Sequence, residues 1–246
     1  MPDDDPFRHH PALRDLITPP EASGLRDMQL DRVMAMVAQH GGDTGLFMSE
    51  AAREADRAAF FAGRPPGDLW VFGYGSLIWD PAVLFTEVRR AYAPTAARRF
   101  ILRDIGGGRG NPERPGVMAA LDDGGGCHGV AFRIAAHQVP DESYRLWLRE
   151  RIGAAYRPAM IPLETAQGPI EALTFMADYD ARLIKADMTH DEQVRCCATG
   201  AGFLGSSFDY VRNIATHFAA LHIDDPEVTR LLEDARAYRQ QAGLQV

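Results

Sequence analysis

The stretch LWVFGYGSLIWDP, residues 69–81, opens the β-rich part of the chain and decides how the rest is interpreted. An apolar run of strand type, residues 69–72, passes directly into Gly73-Tyr74-Gly75-Ser76. Glycines at the end of a strand let backbone N–H groups approach and cradle an oxygen anion, either a carboxylate or a transition-state oxyanion. From the glycines alone, a strand that ends in a β-bulge is the simpler interpretation.

Two familiar sites do not fit this stretch. A dinucleotide-binding loop needs a third glycine where Ile78 stands, and no Gly-Lys-Ser/Thr follows. Ser76 is not in a Gly-x-Ser-x-Gly motif, again because of Ile78, so the sequence disfavours a hydrolase nucleophile there.

Short β-type runs bounded by glycine and proline continue after this stretch. Because two of them flank Gly124-Gly125-Gly126, the sequence predicts a β-hairpin across these glycines. The strands do not alternate with helices as βαβ units would, which predicts an α+β fold: a small mixed or antiparallel β-barrel with flanking helices. Strands are expected in residues 69–76, 88–93, 98–104, 116–123, 127–134, 159–165 and 169–177, and helices over about 141–152, about 206–222 and 227–241.

The sequence before the β-rich part has a different character. Residues 1 to about 22 are rich in Pro, Asp and His, a composition that predicts a segment that is poorly ordered or tied down only locally. Residues 25–40 and 47–61 carry helical patterns, and a turn-rich hinge follows at residues 63–68. We therefore expect a partly helical N-terminal extension over residues 1–66 and a β-rich main domain over residues 67–246.

Composition excludes several classes of partner. The 246 residues carry a formal net charge of -8, and the 26 Lys and Arg residues are scattered, so no basic face is available for nucleic acid or an anionic membrane. The acidic start does not resemble a signal peptide and no stretch is apolar for 18 residues, which favours a cytoplasmic protein. The spacing of Cys127, Cys196 and Cys197 indicates reduced thiols, and the histidines show no ligand spacing, so no metal is expected.

Five motifs, in order along the chain, resemble the landmarks of the ChaC-type γ-glutamylcyclotransferases, in their glutathione-specific branch. The resemblance spans about residues 69–232 and does not reach residues 1 to about 66. It implies a small β-barrel with flanking helices, a cytosolic location, and cleavage of glutathione to 5-oxoproline and cysteinylglycine without metal or cofactor. The motifs are VFGYGSLIWDP, RPG before an apolar strand, GGCHGVAFRI, WLRERIGAAYRP and TGAGFLGSSFDYV.

The resemblance also assigns roles to residues. It implies that the loop of Tyr74, Gly75, Ser76 and Leu77 holds the γ-glutamyl group. It implies that Glu150 is the general acid/base and that Tyr210 borders the pocket. The chain departs from the family at Val117, where members often carry arginine, so binding of the far end of the substrate is left open.

The chemistry agrees with the absence of a convincing catalytic triad. In a γ-glutamyl compound the α-amine can attack the γ-carbonyl of the same molecule, so the enzyme needs no nucleophile of its own. Holding the reactants together corresponds to an effective molarity of about 10⁵–10⁸ M. A single carboxylate can take a proton from the amine and return one to the leaving nitrogen.

Residue patterns alone leave the individual roles open. On a helical wheel Glu150 lies away from the apolar stripe of Tyr144, Trp147 and Leu148, which favours a solvated residue, although the helix stop at Gly153 lets its last turn point across a barrel mouth. Tyr210 sits at the edge of an apolar stripe and suits a structural role equally well.

The glycine-proline loop at residues 106–116 and the activity itself each allow two interpretations. Arg109 and Arg114 lie in this loop, which either closes over an anionic substrate or, more commonly, stays exposed. The small-molecule substrate is glutathione or another γ-glutamyl compound, and the competing hypothesis is a non-catalytic γ-glutamyl-binding or regulatory protein. The oligomeric state is left open.

Overall fold

The strand formed by Leu69–Gly73 is buried on both of its faces. Its consecutive residues Val71 and Phe72 point to opposite sides and are 1% and 0% exposed. Val71 belongs to an apolar cluster with Trp147, whereas Phe72 belongs to the largest core cluster. This double coverage explains the unbroken apolar run in the sequence. The structure, a computed structural model, describes residues 5–244.

Seven strands form one mixed sheet, and five of them close into a barrel. They are β1 (Leu69–Gly73), β2 (Glu87–Ala93), β3 (Ala96–Asp104), β4 (Gly116–Asp123), β5 (Cys127–Ile134), β6 (Tyr156–Thr165) and β7 (Ile170–Ala177). Antiparallel pairs join β1 to β5, β5 to β2, β2 to β6 and β6 to β7, and a parallel pair of β1 with β7 closes the ring. β4 pairs with β7 outside the ring, and β3 pairs with the other edge of β4. The predicted α+β fold with a small mixed barrel is confirmed.

Helices surround this sheet. They are α1 (Leu30–Gln39), α2 (Glu50–Phe61), α3 (Val139–Glu150), α4 (His190–Thr199), α5 (Ser207–Ala220) and α6 (Pro226–Gln241). The three predicted C-terminal helices are confirmed as α3, α5 and α6, and α1 and α2 lie within the two predicted helical segments. Helix α4 was missed, although its Thr189–Glu192 capping box was a readable start signal. Within residues 5–244, none of these helices is both long and apolar enough to cross a membrane.

The predicted hairpin across the three glycines is wrong. β4 pairs with β3 and β7, whereas β5 pairs with β1 and β2. Since a strand has only two hydrogen-bonding edges, neither strand has an edge left for the other. The chain instead leaves β4 through Gly124 and Gly126 and crosses into the barrel wall.

The expectation of poor order before residue 23 is wrong for residues 5–22; residues 1–4 lie outside the described part. Leu13 is 0% exposed and belongs to the main core cluster with Ile17. The His10 ring accepts a hydrogen bond from Arg90 N of β2 at 2.8 Å. A few well-placed apolar side chains therefore dock a segment whose overall composition is polar. The division into residues 1–66 and 67–246 stays a prediction.

Candidate active site

The turn after β1 is held by a contact that only glycine permits. The chain passes from Gly73 into a 3₁₀ helix at Ser76–Ile78. A Cβ on Gly75 would lie 2.6 Å from the hydroxyl oxygen of Tyr210 on α5. That hydroxyl accepts a hydrogen bond from Ala119 N of β4 at 3.2 Å. The β1 turn, β4 and α5 therefore meet at one point, and the glycine is needed for close approach.

Three tyrosine hydroxyls gather beside this turn. Tyr74 donates to Phe175 O at 2.8 Å and Tyr156 donates to Ala119 O at 2.9 Å. Burial raises the pKa of Tyr210 to about 12 and places the pKa values of Tyr74 and Tyr156 well above 10.0. All three phenols therefore keep their protons at neutral pH and remain hydrogen-bond donors.

Glu150, the last residue of α3, faces the same place. Its side chain is 12% exposed, and burial raises the pKa of this carboxyl above 4.5, with Arg149 acting in the opposite direction. Arg149 Nε lies 2.8 Å from Glu150 Oε1, so the two side chains form an ion pair. Within residues 5–244 Oε1 is buried and has no partner besides Arg149.

Arg149 was not predicted as a site residue, yet it joins the two halves of the site. Its Nη2 donates to Ser76 Oγ at 2.8 Å, and its Nη1 donates to Asp80 O. These bonds tie the end of α3 to the turn after β1. The only sequence signal for this role was its position beside Glu150.

These groups enclose a small space that we call the inner pouch, of about 20 Å³. The predicted residues Tyr74, Gly75, Ser76, Leu77, Glu150 and Tyr210 all line it, together with Ala119, Tyr156 and Phe175. The fold thus brings every predicted site residue together from β1, α3 and α5.

The inner pouch adjoins a cavity of about 500 Å³. Ser76, Glu150, Tyr156 and Tyr210 line both spaces, so the two are continuous. A cavity of this size is within the range of small-molecule sites. Asp80 also lines it, and Asp80 Oδ1 is buried without a hydrogen-bond partner within residues 5–244.

The structure separates the two arginines of the glycine-proline loop. Arg109 lines the cavity: its guanidinium lies 4.9 Å from the Tyr210 ring centroid and its Nη1 donates to Ser206 O at 3.2 Å. Its Nε is buried and unpartnered within residues 5–244. Asp104 fixes the loop by accepting from Gly106 N at 2.8 Å and from Arg109 N. Arg114 lines a different cleft and is exposed.

The site therefore combines the buried carboxyl group of Glu150, protonated phenols, glycine-turn amides and the cations of Arg149 and Arg109. A carboxyl group whose pKa is raised toward neutrality can both accept and return a proton. Cys127, Cys196 and Cys197 are free and buried. Within residues 5–244, no group of three or more His, Cys, Asp or Glu side chains is placed to hold a metal ion.

Comparison with known proteins gives consistent results. The model of the family described as ChaC-like protein matches residues 69–238. The glutathione-specific γ-glutamylcyclotransferase of Escherichia coli strain K12 is 33% identical over 192 residues, which are 77% of this chain and 83% of that protein. Glutathione-specific γ-glutamylcyclotransferase 1 of Danio rerio is 29% identical, over 65% of this chain and 85% of its own.

A solved structure resembles the fold. The crystal structure of a glutathione-specific γ-glutamyl cyclotransferase from yeast superposes with a TM-score of 0.65 at 21% identity. The match covers 71% of this chain and 98% of the yeast chain. At this level of identity, the likeness bears on the architecture of the barrel.

Proposed function

The chain belongs to the ChaC-like protein family, and we propose that it is a γ-glutamylcyclotransferase that cleaves glutathione into 5-oxoproline and cysteinylglycine. The observation that carries the proposal is the inner pouch, where the Glu150 carboxyl group and the turn of Tyr74–Leu77 line one space. The named relatives, which are glutathione-specific enzymes, support the choice of substrate.

In the proposed reaction the α-amine of the glutamyl group attacks its own γ-carbonyl carbon. Glu150 takes a proton from the amine as the new C–N bond forms. It then gives the proton to the nitrogen of the cysteine residue as the old amide bond breaks. The products are 5-oxoproline and the free amine of cysteinylglycine, so atoms balance and Glu150 returns to its starting state.

The raised pKa of Glu150 suits this double role. A group that must accept and donate a proton works best when its pKa is near the working pH. Burial supplies the upward shift, and Arg149 limits it. The same burial excludes water, which would otherwise weaken the electrostatic interactions inside the pouch.

The oxyanion that forms between the two proton transfers needs hydrogen-bond donors. The amides of Gly75 and Ser76 lie where a strand passes into a short helix, and the first N–H groups of a helix have no partner within it. We assign oxyanion stabilisation to these amides, with the phenol of Tyr210, which accepts from Ala119 N and keeps its own proton, beside them. Removing one such donor typically costs a factor of about 10²–10³ in rate.

The charged groups of the substrate have matching partners along the cavity. We assign a substrate carboxylate to Arg109, because its Nε lacks a partner while lining the cavity. We assign the glutamyl amine to the neighbourhood of Asp80, whose Oδ1 also lacks a partner; it binds as an ammonium ion and loses one proton to solvent before the neutral amine attacks. Arg109 would then take the role that Val117, which is fully buried in β4, cannot play.

The test is direct. Purified protein is incubated with glutathione, and 5-oxoproline and cysteinylglycine are measured together; equal amounts of both products are expected. No product at millimolar glutathione would reject the assignment. Parallel assays with other γ-glutamyl amides and γ-glutamyl amino acids decide whether glutathione is the preferred substrate.

A further inference from the structure

The outer part of the cavity is lined by a segment that the family match does not include. Leu25, Met28, Val33, Leu46 and Phe47 all line the cavity, although the match begins only at residue 69. We call these five residues the N-terminal wall. None of the residues that line the inner pouch comes from residues 5–66, so the wall belongs to the far end of the cavity.

The N-terminal wall is docked by specific contacts. Arg26 forms a two-pronged ion pair with Glu142 of α3 at 2.7 and 2.9 Å, and Glu142 is 2% exposed. Met48 N donates to Ile152 O at 2.9 Å. Leu46 packs in a cluster with Leu102 and Leu183 from the barrel side. The wall is therefore held against the barrel on both sides of α1.

Apolar side chains predominate in the rest of the cavity lining as well. The barrel side also presents apolar side chains, and the charged residues that line the cavity are Asp80, Asp104, Arg109, Arg149, Glu150 and Asp209, of which only Glu150 also lines the pouch. The apolar residues of the barrel side that line the cavity include Leu102, Met118, Ile152 and Leu183.

The carboxylate of glutathione has Arg109 as a partner, but the N-terminal wall matches none of the groups at the far end of glutathione. Beyond the bond that is cut, glutathione carries a short thiol side chain, an amide and a carboxylate. Polar groups gain nothing from an apolar wall and lose their hydration when they are placed against it. An apolar group attached to the sulfur would instead bury its surface there, which is favourable in proportion to the area buried.

We propose that the N-terminal wall is a subsite for an apolar substituent on the substrate sulfur, so that the enzyme takes S-alkyl and S-aryl thioethers of glutathione as well as glutathione. The inference rests on the proposed function, because the reacting γ-glutamyl end is the same. The amide bond breaks as before, the ring closes to 5-oxoproline, and the leaving amine is the S-substituted cysteinylglycine. The thioether bond takes no part in the reaction.

The first test uses the unmodified full chain. The kcat/KM for release of 5-oxoproline is measured with glutathione, S-methylglutathione, S-butylglutathione and S-hexylglutathione. We expect kcat/KM to rise along the thioether series and to reach at least about tenfold that for glutathione, since one methylene in a fitted apolar pocket is worth about 10-fold or more. A flat or falling series, with glutathione still cleaved, would overturn the subsite and leave the proposed function standing.

The second test locates the effect on the wall. Met28→Ser is expected to lower the ratio of kcat/KM for S-hexylglutathione to that for glutathione by about tenfold. The matched control is Met34→Ser, because Met34 is a half-buried methionine of the same segment that does not line the cavity. The control is expected to keep the wild-type ratio.

The outcomes separate the two claims. An unchanged ratio in Met28→Ser, or an equal drop in Met34→Ser, would overturn the assignment to the wall. No 5-oxoproline from any of the four compounds with the wild-type chain would reject the proposed function itself, and the subsite with it. Phe47→Ser, measured in the same way, replaces Met28→Ser should that variant fail to fold.

Discussion

The inner pouch and the N-terminal wall border one cavity but are built in different ways. The pouch collects polar groups from β1, β4, α3, β6 and α5, and hydrogen bonds such as that of Tyr156 to Ala119 O hold them. The wall uses apolar side chains from one segment, residues 25–47. The bond-breaking chemistry thus needs groups placed by the barrel, whereas substrate breadth needs only an apolar surface that a local segment can supply.

A change at the pouch should have the greatest effect. Glu150→Gln keeps the size of the side chain but removes the proton acceptor, so kcat with glutathione should fall by about 10²–10⁴-fold. KM should change little, because the substrate is still held by the turn and by Arg109. The matched control is Glu164→Gln on the exposed side of β6, which is expected to have wild-type kinetics. A Glu150→Gln enzyme with the wild-type rate would remove the catalytic role of this carboxyl group.

A second change tests whether the pouch depends on close packing. Gly75→Ala places a Cβ 2.6 Å from the Tyr210 hydroxyl, so the turn or α5 must shift. We expect kcat/KM to fall by about 10²-fold, as a misplacement of about 1 Å can cause. Stability should fall by about 1–3 kcal/mol, the usual range for overpacking.

The double variant Gly75→Ala/Tyr210→Phe extends this test, because it removes the oxygen that the new methyl group meets. Thermal unfolding should show that the double variant recovers part of the stability lost in Gly75→Ala. If the stability losses of Gly75→Ala and Tyr210→Phe simply add in the double variant, the contact between these residues does not explain the need for glycine.

A more moderate effect is expected from a change at Arg109, which lines the larger cavity beside the pouch. Arg109→Met should raise KM for glutathione about tenfold or more, the value of one hydrogen bond to a charged group, with a smaller change in kcat. Arg114→Met is the control from the same loop, because Arg114 lines a different cleft. Equal KM values for Arg109→Met and the wild type would show that Arg109 does not hold a substrate carboxylate.

The effects of pH should be the mildest. Since burial raises the pKa of Glu150 above 4.5, its ionised form, the proton acceptor, disappears as pH falls through that raised value. The acid limb of kcat/KM should therefore lie above pH 4.5 and be absent from the residual activity of Glu150→Gln.

The pH dependence of the stability of the fold should also depend on Glu150. The folded state binds this proton more tightly than the unfolded state, so the contribution to stability is complete below the unfolded pKa and is lost as pH rises through the folded pKa. Glu150→Gln should therefore raise Tm relative to wild type at pH 7 and make little difference at pH 4. An equal Tm difference at both pH values would contradict the raised pKa.

Much of the fold could be read from local patterns. The apolar run before Gly73, the spacing of the later strands and the stop at Gly153 predicted the barrel and a helix over about residues 141–152, which the structure has at Val139–Glu150. Strand pairing could not be read in this way. The glycines at 124–126 suggested a hairpin, but which edges meet is decided by the closure of the whole sheet.

The order of residues was enough to determine the family, the α+β barrel and six of the nine residues that line the pouch, because glycine turns, helix stops and ordered motifs are local signals. The folded molecule was needed to show that Arg149 links α3 to the β1 turn, that Arg109 and not Arg114 lines the cavity, and that the N-terminal wall borders it. Burial, orientation and cavity lining depend on contacts between residues far apart in the chain. A local sequence pattern does not determine those contacts.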